Sequence, residues 1–187
     1  ELRVWGQHET LDTQLTRLTA ATTIAELLDL VLARYETDLE ARRPGLVGDT
    51  LRLISVSRQG LLESELLDLL GDGSRLPTAH WATFRAAGSE LIVDRGGLLG
   101  LAHPHIESAV ARRYLAMADQ EADTRRRLDA YFDGATSPRA VAERPYQLRQ
   151  LEDWDELVEL LGDHDWFLRH RSQAPLDSRC PHLARDG

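Results

Sequence analysis

The sequence predicts a mainly α protein: a winged-helix domain of three helices plus a β-hairpin, followed by an α-helical, solenoid-like arm. Three observations predict it. Apolar residues recur at i, i+3, i+4 and i+7 through most of the chain. Two apolar runs flank the dipeptide Gly96-Gly97, which supplies the positive φ values a hairpin turn needs. Helical patterns of ordinary length then continue beyond residue 117. The 187 residues, 42% of them hydrophobic, suffice for one ordinary domain or two small ones with a real core.

The elements follow in order. Thr23 and Glu26 form the T-x-x-E capping box of a long helix, whose positions Ile24, Leu27, Leu28, Val31, Tyr35 and Leu39 share one face and which Pro44 and Gly45 end. The stretch 46–59 is apolar on several sides, as a central helix should be, and Gly60 closes it. A short helix runs from Glu63 to Leu70 with Leu66, Leu67 and Leu70 inward and Gly71 as a left-handed cap. Asp72, Gly73 and Ser74 form a loop. Pro77 opens a third helix at its first position, with Trp81 and Phe84 on the buried side. Leu91 to Val93 and Leu98 to Leu101 are the strands of the hairpin, and Pro104 starts a helix carrying Ile106, Ala109, Val110, Tyr114 and Leu115 on one face. Helices follow near 121–132, 138–151 and 153–161, where Trp154, Leu157, Leu160 and Leu161 are expected to pack on Tyr146 and Leu148. No fixed period is visible, so no named repeat is assigned.

Composition excludes several function classes. All 22 basic residues are Arg, so Schiff-base chemistry and the lysine of a Walker A loop are absent from the sequence. The net charge of -9 argues against general nucleic-acid affinity, which rests on phosphate neutralisation. Its acid excess lies in 117–187, with 15 acidic against 10 basic residues, densest at Glu152, Asp153, Asp155, Glu156 and Glu159. That run reads as the first turn and solvated face of a helix rather than a metal site. The single Cys180 excludes an internal disulfide framework, and no run approaches a membrane span or a leader, so the expected setting is cytoplasmic. Cys180 and His182 lie in a Pro-bearing tail, 172–187, expected to fray; only His164 and His170 could complete a zinc site with them, so no metal is assigned.

Several segments carry a family resemblance: L-R-V-W-G-Q-H-E-T-L (Leu2 to Leu11), the capped helix 23–42, and L-R-L-I-S-V-S-R-Q-G-L-L-E-S-E-L-L-D-L-L-G (Leu51 to Gly71). With them go L-A-H-P-H-I-E-S-A-V-A-R-R-Y-L (Leu101 to Leu115), R-A-V-A-E-R-P-Y-Q-L (Arg139 to Leu148) and W-D-E-L (Trp154 to Leu157). Together they resemble the region after the nucleotide-binding core of NACHT-type STAND ATPases, the nephrocystin and telomerase-associated proteins and their bacterial relatives. The resemblance implies three parts: 1–43 as the tail of the ATPase lid region with a connecting helix, 44–116 as the winged helix, and 117–187 as the start of a TPR-like arm with a frayed end. It implies a segment that holds the ATPase core of the same polypeptide in a closed ADP state and relays its opening. No cofactor belongs to this stretch itself; ADP or ATP would act through the absent core, and the full-length protein could be a homo-oligomer.

One residue carries a mechanism under that resemblance. His103 sits at the strand-to-helix junction where related switch ATPases set a histidine against the ADP β-phosphate, and an imidazole N–H beside a helix N-terminus suits a phosphate oxygen. Pro104 stands where many relatives carry Asp, and without the resemblance His103 reads as a half-buried helix cap. His105 points to solvent. The alternative function is a DNA-binding winged-helix transcription regulator reading through the third helix, but that helix offers only Arg85 and the hairpin turn only Arg95. A hydrolase would need His80 or His164 with Asp163 or Asp165, and no nucleophile motif accompanies them, so no catalytic residue is assigned.

Overall fold

The computed structural model describes residues 18–168 except 42, 72, 134, 136, 165 and 167, together with residue 16. Eight helices and three short strands follow one another: α1 (Ile24–Leu39), α2 (Leu46–Val56), β1 (Leu61–Leu62), α3 (Glu63–Leu69), α4 (Thr78–Ala87), β2 (Ile92–Arg95), β3 (Leu98–Leu101), α5 (Pro104–Tyr114), α6 (Ala118–Phe132), α7 (Pro138–Gln150) and α8 (Trp154–Gly162). The protein is mainly α, as predicted. The expectations for 1–15 and for the tail from 169, including His170, Cys180 and His182, lie outside the described residues.

The Thr23 hydroxyl accepts from the Glu26 amide at 3.2 Å, but the Glu26 carboxylate reaches the Thr22 amide at 2.8 Å rather than that of Thr23. Glu40 does more work than the sequence suggests. Gly45, in the left-handed region at φ 77°, has no side chain to cap α2, and the Glu40 carboxylate accepts the Gly45 and Val47 amides instead. Helix α2 is buried on almost every side, through Leu46, Val47, Leu51, Leu53, Ile54 and Val56. It is the axle on which the other elements pack.

Gly96 and Gly97 both have positive φ, 68° and 89°, so the hairpin turn forms as its sequence requires. In register, Ile92 faces Leu101 and Arg95 faces Leu98. The sequence did not reveal β1, because two leucines give no alternation to read. Leu61 and Leu62 pair with Leu99 and Leu98, so the sheet runs β1-β3-β2 and β3 is its centre. Gly60 makes that pairing possible: at φ 92°, a Cβ there would stand 2.5 Å from the Leu99 carbonyl oxygen.

Two local expectations are corrected. Gly71 is not among the glycines with positive φ; it is needed because a Cβ would run into the Ser74 backbone. Trp154 and Leu161 do not pack on α7. Among the residues of α8 only Leu160 is buried, beside Leu148 and Trp166, with Leu157 half-buried against them. One apolar cluster runs from Leu32 and Tyr35 on α1 through Trp81, Phe84 and the sheet to Leu128, Phe132 and Ala140 on α6 and α7. Helices α6 and α7 therefore share the core of those before them, while α8 packs in the separate cluster of Leu148, Leu160 and Trp166.

Candidate functional site: a polar joint and the arm it holds

Every helix ends in carbonyls without intrahelical partners. Here the end of α2 is finished by side chains from α6 and α7. The Gln147 amide donates to the Val56 carbonyl at 2.9 Å, and Arg125 donates to the same oxygen at 3.2 Å and to Gln147 Oε1 at 3.1 Å. Arg127 donates to the Leu69 carbonyl at the end of α3 at 2.5 Å, and the Tyr131 hydroxyl reaches Asp68 at 3.2 Å. Positive groups at these C-termini also meet the negative end of each helix dipole.

Two buried carboxylates complete the joint. Glu65 accepts the Leu62 amide at 2.8 Å and both nitrogens of an Arg139 fork at 3.1 Å, while Arg139 also donates to the Gly60 carbonyl at 2.7 Å. Glu143 accepts from the Arg58 amide at 2.9 Å and from Gln147 at 2.7 Å. Burial raises the Glu143 pKa above the usual carboxylate range, with those two hydrogen bonds and Arg139 opposing it. No local pattern announces this constellation, whose members lie up to 91 residues apart.

Outward from the joint, Arg144 on α7 holds the arm together. It donates to Asp129 of α6 at 3.2 Å and Glu156 of α8 at 2.5 Å, and pairs with Asp133 at 2.8 Å. Glu156 lies in the first turn of α8, as expected, and its half-exposed carboxylate also closes this clamp. Asp153 is the N-cap of α8, accepting the Glu156 amide at 3.3 Å. The side of α8 turned away from α7 exposes Trp154, Val158 and Leu161. Grooves of about 570 and 310 Å³ lie along α8, lined by Arg144, Asp153, Asp155, Glu156, Glu159, Leu160 and Asp163 in one and by Leu151, Glu152, Asp153, Trp154 and Asp155 in the other.

The residues singled out in the sequence are scattered. His103 is exposed and caps α5: its Nδ1 accepts the His105 amide at 3.2 Å, and the two imidazoles stack at 4.8 Å. In the neutral ring that bond leaves the proton on Nε2. Arg85 lies half-exposed on the last turn of α4, and Arg95 exposed at the end of β2. His80 lines a groove of about 220 Å³ with Asp38, Arg43 and Thr83, but Asp38 is paired with Arg34 at 2.9 Å. His164 is exposed. Among the described residues no group of three or more His, Cys, Asp or Glu could hold a metal ion, and no helix is long and apolar enough to cross a membrane.

Comparison with known proteins places the chain among different relatives from those its motifs suggested. It is 27% identical, over 86% of its length, to a TPR repeat-containing protein of Dictyostelium discoideum. It is 33% identical over 51% of its length to tetratricopeptide repeat protein 41 of Mus musculus, and 32% over 50% to its namesake in Rattus norvegicus. The chain spans only about a tenth of each relative, 10% of the first and 9% of the others. No family model and no solved structure matches.

These names overturn the NACHT-type STAND resemblance, and with it the function of holding an ATPase core in an ADP state; that core is unsupported as a partner. The motifs misled because strings such as Leu61 to Gly71 are the leucine and acid pattern of any short amphipathic helix. The DNA-binding alternative also falls, since nothing among the relatives supports it and Ala79, Ala82, Thr83 and Ala86 leave the outer side of α4 without cationic groups. The relatives carry the names of TPR-repeat proteins, and the described residues of this chain are mainly helical.

Proposed function

We propose that this chain is a non-catalytic joint in a helical-repeat scaffold protein: a winged-helix module, α2 to β3, on which an arm of antiparallel helices, α6 to α8, is rigidly seeded. The order helix, strand, helix, helix, hairpin, with β1 joined to β3, supports the winged-helix assignment. The observation that carries the scaffold reading is the joint itself. Arm side chains complete the ends of α2 and α3, so the arm takes one fixed direction from the module. A TPR-type scaffold needs such an origin, because each repeat fixes only its neighbour and any error in the first is carried along the stack.

The test has two parts. Hydrogen exchange should protect the C-terminal amides of α2 and the middle of α7 to the same opening free energy, and Gln147→Ala should lower both together. Separate opening of α7 would sink the rigid joint. In cell extract, a carboxylate-directed crosslinker is appropriate, because the sequence has no lysine. Crosslinks from α8 to other proteins support scaffolding; crosslinks confined to the same chain oppose it.

A further inference from the structure

The outer face of α8 is unlike any other helix surface in the arm. Trp154, Val158 and Leu161 fall at i, i+4 and i+7, 55%, 71% and 48% exposed, so they form one continuous apolar stripe. A helix side turned to solvent is ordinarily polar. This one turns an indole and two branched aliphatic side chains. The polar groups beside the stripe are almost all of one sign: Glu152, Asp153, Asp155 and Glu159 are exposed along it, and Asp163 follows at its end. On the facing helix, Arg144 is committed to Asp129, Asp133 and Glu156, and Arg149 stands exposed in the last turn, before Glu152.

From the stripe and its acidic border we infer that α8 docks a cationic amphipathic helix, one with apolar residues at helical spacing and Arg or Lys on its flanks. The inference rests on the scaffold reading and names the partner for α8. Apolar area supplies the attraction, and the border sets the sign of what can approach. A helix with acidic flanks would bring like charges together at Asp155 and Glu159, which selects against it as strongly as the stripe selects for apolar partners. A second copy of this chain is disfavoured on the same ground, because its own α8 carries the same border.

The probes are two synthetic helical peptides of about 18 residues with the same Leu stripe, one flanked by Lys and the other by Glu. Titration is followed by Trp154 fluorescence, with Trp154→Phe as the background control and light scattering as the monitor of self-association. The Lys-flanked peptide should bind about tenfold or more tighter at low salt, with the difference shrinking as salt is added. Val158→Asp should weaken it at least about tenfold, and Asp155→Lys with Glu159→Lys should reverse the preference between the peptides. Equal binding of both peptides, binding of neither, or self-association abolished by Val158→Asp would each overturn the inference. None of those outcomes touches the rigid joint, whose failure shows instead in hydrogen exchange of α7.

Discussion

The module and the arm hold their helices by different chemistry. In the module, Leu51, Leu53 and Ile54 of α2 and Trp81 and Phe84 of α4 belong to one buried apolar cluster, with the Trp81 and Phe84 rings 5.5 Å apart. Where the arm joins, Leu128, Phe132 and Ala140 extend that cluster, and Arg125, Arg139, Glu65, Glu143 and Gln147 add hydrogen bonds to backbone groups of the module. Apolar packing is strong but tolerant of sliding, because a leucine fits many neighbours. Hydrogen bonds to named carbonyls are directional and fail if the partner shifts by an ångström or so. The difference teaches that stability resides in the module and the arm's direction in the joint.

The strongest way to break the comparison is Phe84→Ala. The ring is fully buried, and its removal should cost about 3–5 kcal/mol through lost apolar burial and the cavity left behind. Because one apolar cluster links module and arm, a single cooperative thermal transition should move down for both. If the arm melts at its old temperature while the module falls, the two do not share a core.

Arg144→Met comes next and should act on the arm alone. It leaves Asp129, whose pKa burial already raises, beside Asp133 and Glu156 with no cation among them. Discounted for partial solvent access, the loss is about 2 kcal/mol by denaturant titration, and Asp129→Asn in the same chain should recover part of it. Full additivity of the two changes would show that the clamp is not a unit.

Two carboxylates sharpen the contrast through pH. At the joint, burial raises the Glu143 pKa, so the stability it contributes is complete below the ordinary carboxylate range and is lost as pH rises through its folded value. Between α1 and α5, the Arg113 guanidinium at 2.6 Å and the Tyr114 hydroxyl hold Glu36 below its ordinary value, so its contribution is present at neutral pH and is lost on acidification. Glu143→Gln, whose amide oxygen can still accept from Arg58 and Gln147, should therefore gain Tm relative to the parent as pH rises from about 4 to about 7. Glu36→Gln should lose it over the same interval. Differences of the same sign would mean that burial does not dominate at Glu143.

Much of the module was legible because its signals are local. Gly96-Gly97, the Thr23 cap, Pro104 after His103, and the spacing of Ile106, Ala109 and Val110 each act within a few residues. The strand β1 was not, because two residues become a strand only when β3 lies beside them. The joint was illegible for the same reason: Gln147 on its helix looks like any surface amide until the Val56 carbonyl is brought to it. Motif resemblance failed at function where it rested on amphipathic strings, since periodicity reports which face is buried and nothing about what the protein does. On α8 periodicity placed Leu160 correctly but could not say that Trp154 and Leu161 would find no neighbour in the arm.

The smallest expected effect is the most telling about α8. Val158 is 71% exposed in the middle of the outer stripe, so Val158→Asp removes little buried area. The new carboxylate would stand in solvent one residue from Glu159, and the two effects together should stay within about 0.5 kcal/mol in either direction. The same substitution at Leu160, which is buried against Leu148 and Trp166, would bury a charge without a partner and unfold the end of the arm. Paired denaturant titrations of the two variants therefore separate the inner side of α8, which holds the fold, from the outer side, which the fold does not use. A loss at Val158 comparable to that at Leu160 would mean that the outer stripe is packed by something within this chain, and that α8 has no face left to offer.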